Sequence, residues 1–150
     1  MLRYLSMKFE ARRSRLFALT FGLTIILCFG SSISVFLIDS SMITIIVLSI
    51  VILPSISLLA WIWIDTFYQV NDEYFYYRSG PIKGKIRIQD ITKLKVNETS
   101  WYGVKPALAT KGIIISFNRY DEVYVAPKDN DKLVEQLLSR NSNIEVTNKP

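Results

Sequence analysis

Two uncharged, apolar runs, Leu16–Ile38 and Met42–Ile64, take up the first half of the chain, each 23 residues long and separated only by Asp39, Ser40 and Ser41. A helix of about 20 residues crosses a hydrocarbon layer of roughly 30 Å, so either run can span a bilayer. The core of a soluble domain this small has no use for two helices of that length. The short connection forces an antiparallel hairpin, whose two open ends then lie on the same side. The first run does not read as a cleaved signal peptide, because it exceeds the usual apolar length of about 7–15 residues and no A-x-A-like site follows.

Charge indicates which side. Residues 1–15 carry Arg3, Lys8, Arg12, Arg13 and Arg15 against Glu10, whereas residues 16–64 carry only Asp39. Residues 65–150 are weakly basic and complete the formal net charge of +5. Basic flanks stay cytoplasmic. The expected organisation is therefore a basic cytoplasmic N-terminus at 1–15, a transmembrane hairpin at 16–64 with spans at about 16–38 and 42–64, and a cytoplasmic domain at 65–150. Much of the excess positive charge behind the pI of 9.4 is this N-terminal cluster. Topology explains it, and a nucleic-acid partner is not expected.

Neither span contains an ionisable Asp, Glu, Lys, Arg or His, the usual marks of an ion path. Ala18, Gly22, Gly30 and Ser34 recur at multiples of four, a spacing that suits close packing against the second span or, in a homo-oligomer, a dimer seam. Pro54 should kink the second span, and Trp61 and Trp63 suit a membrane interface. Cys28 lies inside the first span, so no disulfide is expected. The chain has no histidine, which excludes Ser-His-Asp catalysis, HExxH zinc hydrolysis and histidine-ligated metals. The carboxylates Asp72, Glu73, Asp121, Glu122, Asp129 and Asp131 fall at turns or a helix start, where turn and cap roles explain them. No enzyme activity, cofactor or metal is expected.

From Asp65 the texture changes to short β-branched and aromatic segments between turn residues. Strands are expected over 66–70, 73–78, 82–88, 91–97, 112–117 and 122–126, an antiparallel meander. Asp129 then caps a helix whose stripe Leu133, Val134, Leu137 and Leu138 should cover the open end of a curled sheet.

Two surfaces are candidates for binding. In "IKGKIRIQDI" (82–91), Lys83, Lys85 and Arg87 alternate with an apolar face, because side chains alternate across a strand. Lys93 and Lys95 share a face of the next segment, and Arg78 stands before the preceding turn. If those strands pair, the six cations form one patch, either a solvated strand face or a contact for anionic lipid or an acidic partner. The second candidate is the connection 98–110, where "TSWYGVKPAL" sets Trp101 and Tyr102 beside Pro106. Such loop aromatics are either partner anchors or a plug for one end of the sheet.

Four stretches, in order, resemble a known family: "MKFEARRSRLF" (7–17), "YQVNDEYFYYRSGPIKGKIRIQDITKLK" (68–95), "PALATKGIIISF" (106–117) and "VYVAPKDNDKLVEQLLSRNSNIEV" (123–146). They are similar to bacterial pleckstrin-homology-like (PH-like) membrane proteins of the YyaB-like type, a group that includes an immunity protein against the bacteriocin sublancin. The chain departs from that pattern at Ala109, often serine there, and at Lys111-Gly112, usually Asp-Arg. The likeness begins at Met7, which could be the true start. It implies an α-helical two-span membrane hairpin joined to a mainly-β PH-like barrel with one C-terminal amphipathic helix. The implied role is a non-enzymatic, membrane-anchored binding or adaptor protein at the cytoplasmic face of a bacterial inner membrane, with an unknown protein partner and possible anionic-lipid contact. Bacteriocin immunity is the alternative.

Overall fold

The computed structural model describes residues 7–38, 41–99, 104 and 106–148. The elements follow in the order β1 (Met7–Glu10), α1 (Arg15–Ile38), α2 (Met42–Ile64), β2 (Thr66–Val70), β3 (Tyr74–Ser79), β4 (Ile82–Arg87), β5 (Ile91–Glu98), β6 (Gly112–Phe117), β7 (Asp121–Val125), α3 (Asn130–Leu138) and β8 (Glu145–Asn148). Asp39 and Ser40 of the expected hairpin turn lie outside the described residues.

Helices α1 and α2 are long and apolar enough to cross a membrane, and none of that length is buried within the chain. Leu19, Ile26, Leu37, Ile43 and Ile50 stand exposed along them. An exposed apolar surface of this extent calls for an apolar surrounding. The hydroxyls of Thr24, Ser32, Ser49 and Ser55 donate back to carbonyls one turn earlier in their own helices. That pairing satisfies them where water is scarce. Helix α2 is capped by Ser41, whose side chain accepts from the Thr44 N–H, and it runs on through Pro54. A Cβ added to Gly22 or Gly30 would meet nothing, so the expected packing of these glycines against the second span is not observed. The helices meet instead near their open ends, where Phe17 and Phe21 stack on Trp63 at 5.5 and 6.2 Å.

The rest is two four-stranded sheets, ordered β1-β2-β3-β4 and β7-β6-β5-β8. The first is antiparallel throughout, and β8 joins the second parallel to β5. A 3-10 turn at Ile88–Asp90 carries the chain from one sheet to the other. Asn141 holds this turn, donating from Nδ2 to the Ile88 carbonyl at 2.9 Å. The sheets enclose Tyr68, Val70, Phe75, Ile86, Leu94, Val96, Ile113, Ile115, Val123 and Val125. Helix α3, capped by Asp129, closes the core with Leu133 and Leu137, both fully buried.

Strands β1 and β8 are absent from the sequence-based set, and β1 alters the organisation. The sequence reading set residues 1–15 apart from the domain at 65–150, but Lys8 pairs with Gln69 and Glu10 with Phe67 in antiparallel register. The segment that follows is stitched to the far side of the fold. Arg12 N donates to the Ala126 carbonyl at 2.8 Å, Lys128 N to the Glu10 carbonyl at 3.0 Å, and Ser14 N to the Leu108 carbonyl at 3.1 Å. Ala11 is buried in the core. The helical hairpin is thus an insertion between the first two strands of one sheet. Its other end is docked as well: Gly80, at φ +55°, turns β3 into β4 directly against Ile62, leaving no room for a Cβ.

Two outcomes are expected. Leu137→Ala should cost roughly 2–5 kcal/mol, measured by chemical denaturation, because it empties a fully buried site. A fragment beginning at Thr66 lacks β1 and exposes the edge of β2. Joining 7–14 to 65–148 through a short Gly/Ser linker should unfold cooperatively at a higher temperature than that fragment, and equal midpoints would show that β1 adds nothing.

Candidate binding surface

Register places the side chains. On the outer face of the first sheet, Glu10, Phe67, Arg78 and Lys83 form one row, and Lys8, Gln69, Tyr76 and Lys85 form the next. Tyr74 and Arg87 pair at the far end. Cations and rings interleave. Lys8 Nζ stands 4.4 Å from the centre of the Phe67 ring, and Lys85 Nζ 5.1 Å from that of Tyr74. Arg87 donates from Nε to the Tyr74 hydroxyl at 3.3 Å, and Arg78 pairs with Asp65 at 2.7 Å. Phe67, Gln69, Tyr76, Lys83 and Lys85 line a shallow depression of about 320 Å³. On the inner side of the same strands, the Tyr77 ring packs where a Cβ on Gly84 would stand. Among the described residues, neither Lys83 nor Lys85 has an ion-pair partner.

The six expected cations do not form one patch. Arg78, Lys83, Lys85 and Arg87 share the first sheet. Lys93 and Lys95 lie on β5 in the second, because the turn at Ile88–Asp90 takes the chain there and Ile91 pairs with Phe117 instead of with β4. Both lysines are also neutralised, Lys93 by Glu145 at 2.8 Å and Lys95 by Glu122 at 3.1 Å. In their place the face gains Lys8 and the rings of Phe67, Tyr74 and Tyr76. Nothing local in the sequence signals that Lys8 joins this face: "MKFE" at Met7–Glu10 is too short a pattern, and the N-terminal charges already have a topological role.

Trp101 and Tyr102 of the second candidate lie outside the described residues. Pro106 does not fit an exposed partner loop: it is fully buried, and its carbonyl accepts from the Tyr68 hydroxyl at 2.6 Å. The same hydroxyl accepts from Ala126 N at 3.1 Å. A second tyrosine repeats the device, with Tyr124 donating to the Ala109 carbonyl at 2.8 Å and accepting from Gly112 N at 3.0 Å. Leu108 is buried between these two anchors. The acidic groups have local duties: Asp129 caps α3, Asp121 accepts from Asn118, and Asp72 faces Arg140 at 3.6 Å.

Burial is the largest cause that pushes the Tyr68 hydroxyl far above its ordinary value, and it raises Tyr124 as well. A value raised in the folded state leaves stability intact at acid and neutral pH and removes it as pH climbs past the unfolded value near 10. Stability should therefore fall above about pH 10. Tyr68→Phe should cost roughly 1–3 kcal/mol at pH 7, because it strands the Pro106 carbonyl and the Ala126 N–H, and it should make the alkaline fall shallower. Denaturant midpoints at pH 7 and 11 read both effects.

Comparison with curated proteins and with solved structures gave no match. Comparison with protein families gave one, a bacterial PH domain, matching residues 66–141. The match runs from the start of β2 to Asn141, three residues past the end of α3, and takes in the outer-face cations of β3 and β4. It covers half of the sequence, and the chain belongs to the bacterial PH domain family.

Proposed function

We propose that the protein is a non-catalytic adaptor anchored in a bacterial inner membrane, with both termini in the cytoplasm. Its cationic and aromatic outer sheet face docks an acidic protein segment. The family supports a binding module, and the two apolar helices support an anchor. The observation that carries the reading is the pair of unneutralised lysines, Lys83 and Lys85, set beside Tyr76 and Phe67. Cations backed by rings suit acidic residues interspersed with apolar ones.

Strand direction favours a protein over the bilayer surface as the occupant of the far end of the face, at Tyr74 and Arg87. The turn between β3 and β4 sits against Ile62 at the end of α2, so β4 starts at the hairpin and runs from it. Lys83 and Arg87 are four residues apart, roughly 13 Å along a strand. That exceeds the screening length of about 8–10 Å, so the far end of the face gains little from anionic headgroups. The resemblance to a group containing an immunity protein supports a second reading, in which this face shields a membrane target from a bacteriocin. Survival of a sensitive host expressing the chain reads that role.

Reporters fused before Met7 and after Pro150 should both be active in the cytoplasm, and activity outside at either end would sink the anchored hairpin. A photoreactive residue at position 76 of the full-length protein should give a discrete, salt-sensitive adduct with an acidic protein. Replacing Lys83, Lys85 and Arg87 by Gln should lower its yield at least tenfold, while exposed positions keep stability within about 0.5 kcal/mol. Adducts with lipid alone would make the face a membrane contact instead.

A further inference from the structure

Where the hairpin joins the sheet there is a second cleft, of about 680 Å³, bounded by β1, residues 11–13 that lead to α1, and the α2–β2 junction. Lys8, Arg12, Arg13 and Lys128 supply its cations, Glu10 a carboxylate, and Ile64 with Phe67 an apolar wall. Two of the cations are already committed. Lys128 ion-pairs with Glu10. Arg12 donates through Nη2 to the Thr110 and Lys111 carbonyls. Lys8 and Arg13 are different: neither ion-pairs with a carboxylate among the described residues, and both act on Glu10 only through space. Each is oriented by a ring instead. Lys8 stands over Phe67, and the Arg13 guanidinium lies 5.3 Å from the centre of the Trp63 ring. Arg13 precedes α1 by two residues, and the first turn of that helix holds no acidic side chain.

Position decides what the cleft can meet. The two long helices begin and end beside it, at Arg15 and Ile64. A bilayer crossed by both helices would have its headgroup layer at this level. We infer that the cleft binds the phosphate of an anionic phospholipid headgroup, with the anion between Lys8 and Arg13 and the glycerol end against Ile64 and Phe67. This inference rests on the anchored reading; the cleft shares Lys8 and Phe67 with the docking face, whereas Lys83 and Lys85 take no part in it. A soluble phosphate ester offers the same anion, and the test separates the two sources.

The full-length protein is placed in nanodiscs of phosphatidylcholine containing a minor share of phosphatidylglycerol, and retained lipid is counted by native mass spectrometry. Phosphatidylglycerol should be retained in preference to phosphatidylcholine. The double variant Lys8→Gln/Arg13→Gln should lose that preference by about tenfold to thirtyfold. Lys8→Arg/Arg13→Lys, which keeps the charge, should retain it, as should Lys83→Gln/Lys85→Gln. In discs of phosphatidylcholine alone, glycerol phosphate and inorganic phosphate are titrated against the same variants. Tight binding of these soluble anions without retention of phosphatidylglycerol would overturn the lipid as the source. Equal retention of both lipids, or a preference unchanged in the double Gln variant at an unchanged thermal midpoint, would overturn the site. A reporter outside the cytoplasm at one end and inside at the other would overturn the anchored hairpin by itself, whereas retention independent of Lys8 and Arg13 overturns this cleft alone.

Discussion

The antiparallel pairing of β1 with β2 is the contact on which the rest of the molecule depends. Four residues before the helices and four after them share one ladder, from Met7 opposite Val70 to Glu10 opposite Phe67. This pairing fixes both ends of the helical hairpin to one sheet edge. It extends the cationic face to Lys8 and leads the chain into the bonds from Arg12 to Ala126 and from Ser14 to Leu108. Without it, β2 would present an open edge, a row of unpaired backbone groups that invites association with other chains. It also builds the cleft at the hairpin base, since Lys8, Glu10 and the residues up to Arg13 form one of its walls.

A second constraint acts on the connection that the segment after β1 meets. The connection between β5 and β6 is longer than most, yet its described residues are held by hydrogen bonds from two buried phenols. Each tyrosine bridges this connection to a neighbouring backbone group, so ring burial and loop placement are one event. Val104 joins in as well, its carbonyl accepting from Tyr124 N at 3.0 Å. Backbone carbonyls outside a ladder are satisfied by donors of this kind.

Much of this architecture was legible in the sequence. The two helices follow from uninterrupted apolar length, and their ends agree with the sequence reading to within a residue. Strands β2 to β7 follow from alternation, and α3 from its cap and its Leu133–Leu137 stripe. What stayed hidden depends on long-range pairing. Four residues of "MKFE" carry too little pattern to announce a strand whose partner lies across two helices. Glu145–Asn148 joins as a parallel edge strand with all four residues exposed, so it shows no apolar alternation. The basic face was half legible, because alternation places Lys83, Lys85 and Arg87 together. Only the turn at Ile88–Asp90 decides that Lys93 and Lys95 belong elsewhere, and a three-residue turn gives no sign of which sheet it feeds. Pro106 was misplaced because a proline in a polar, aromatic stretch looks exposed, while its burial is set by the hydroxyl of Tyr68, 38 residues away.

The insertion of the hairpin into the sheet has a consequence for biogenesis. Strand β1 is made before the helices, and its partner β2 only after both have been synthesised. In a chain whose helices cross a bilayer, insertion of a single span would leave β1 and β2 in different compartments, where no sheet can form. Such a product would carry an unpaired strand on one side and an unfinished core on the other, a form that quality-control proteases can recognise. Completion of the sheet would then report, within one molecule, that both spans had been threaded.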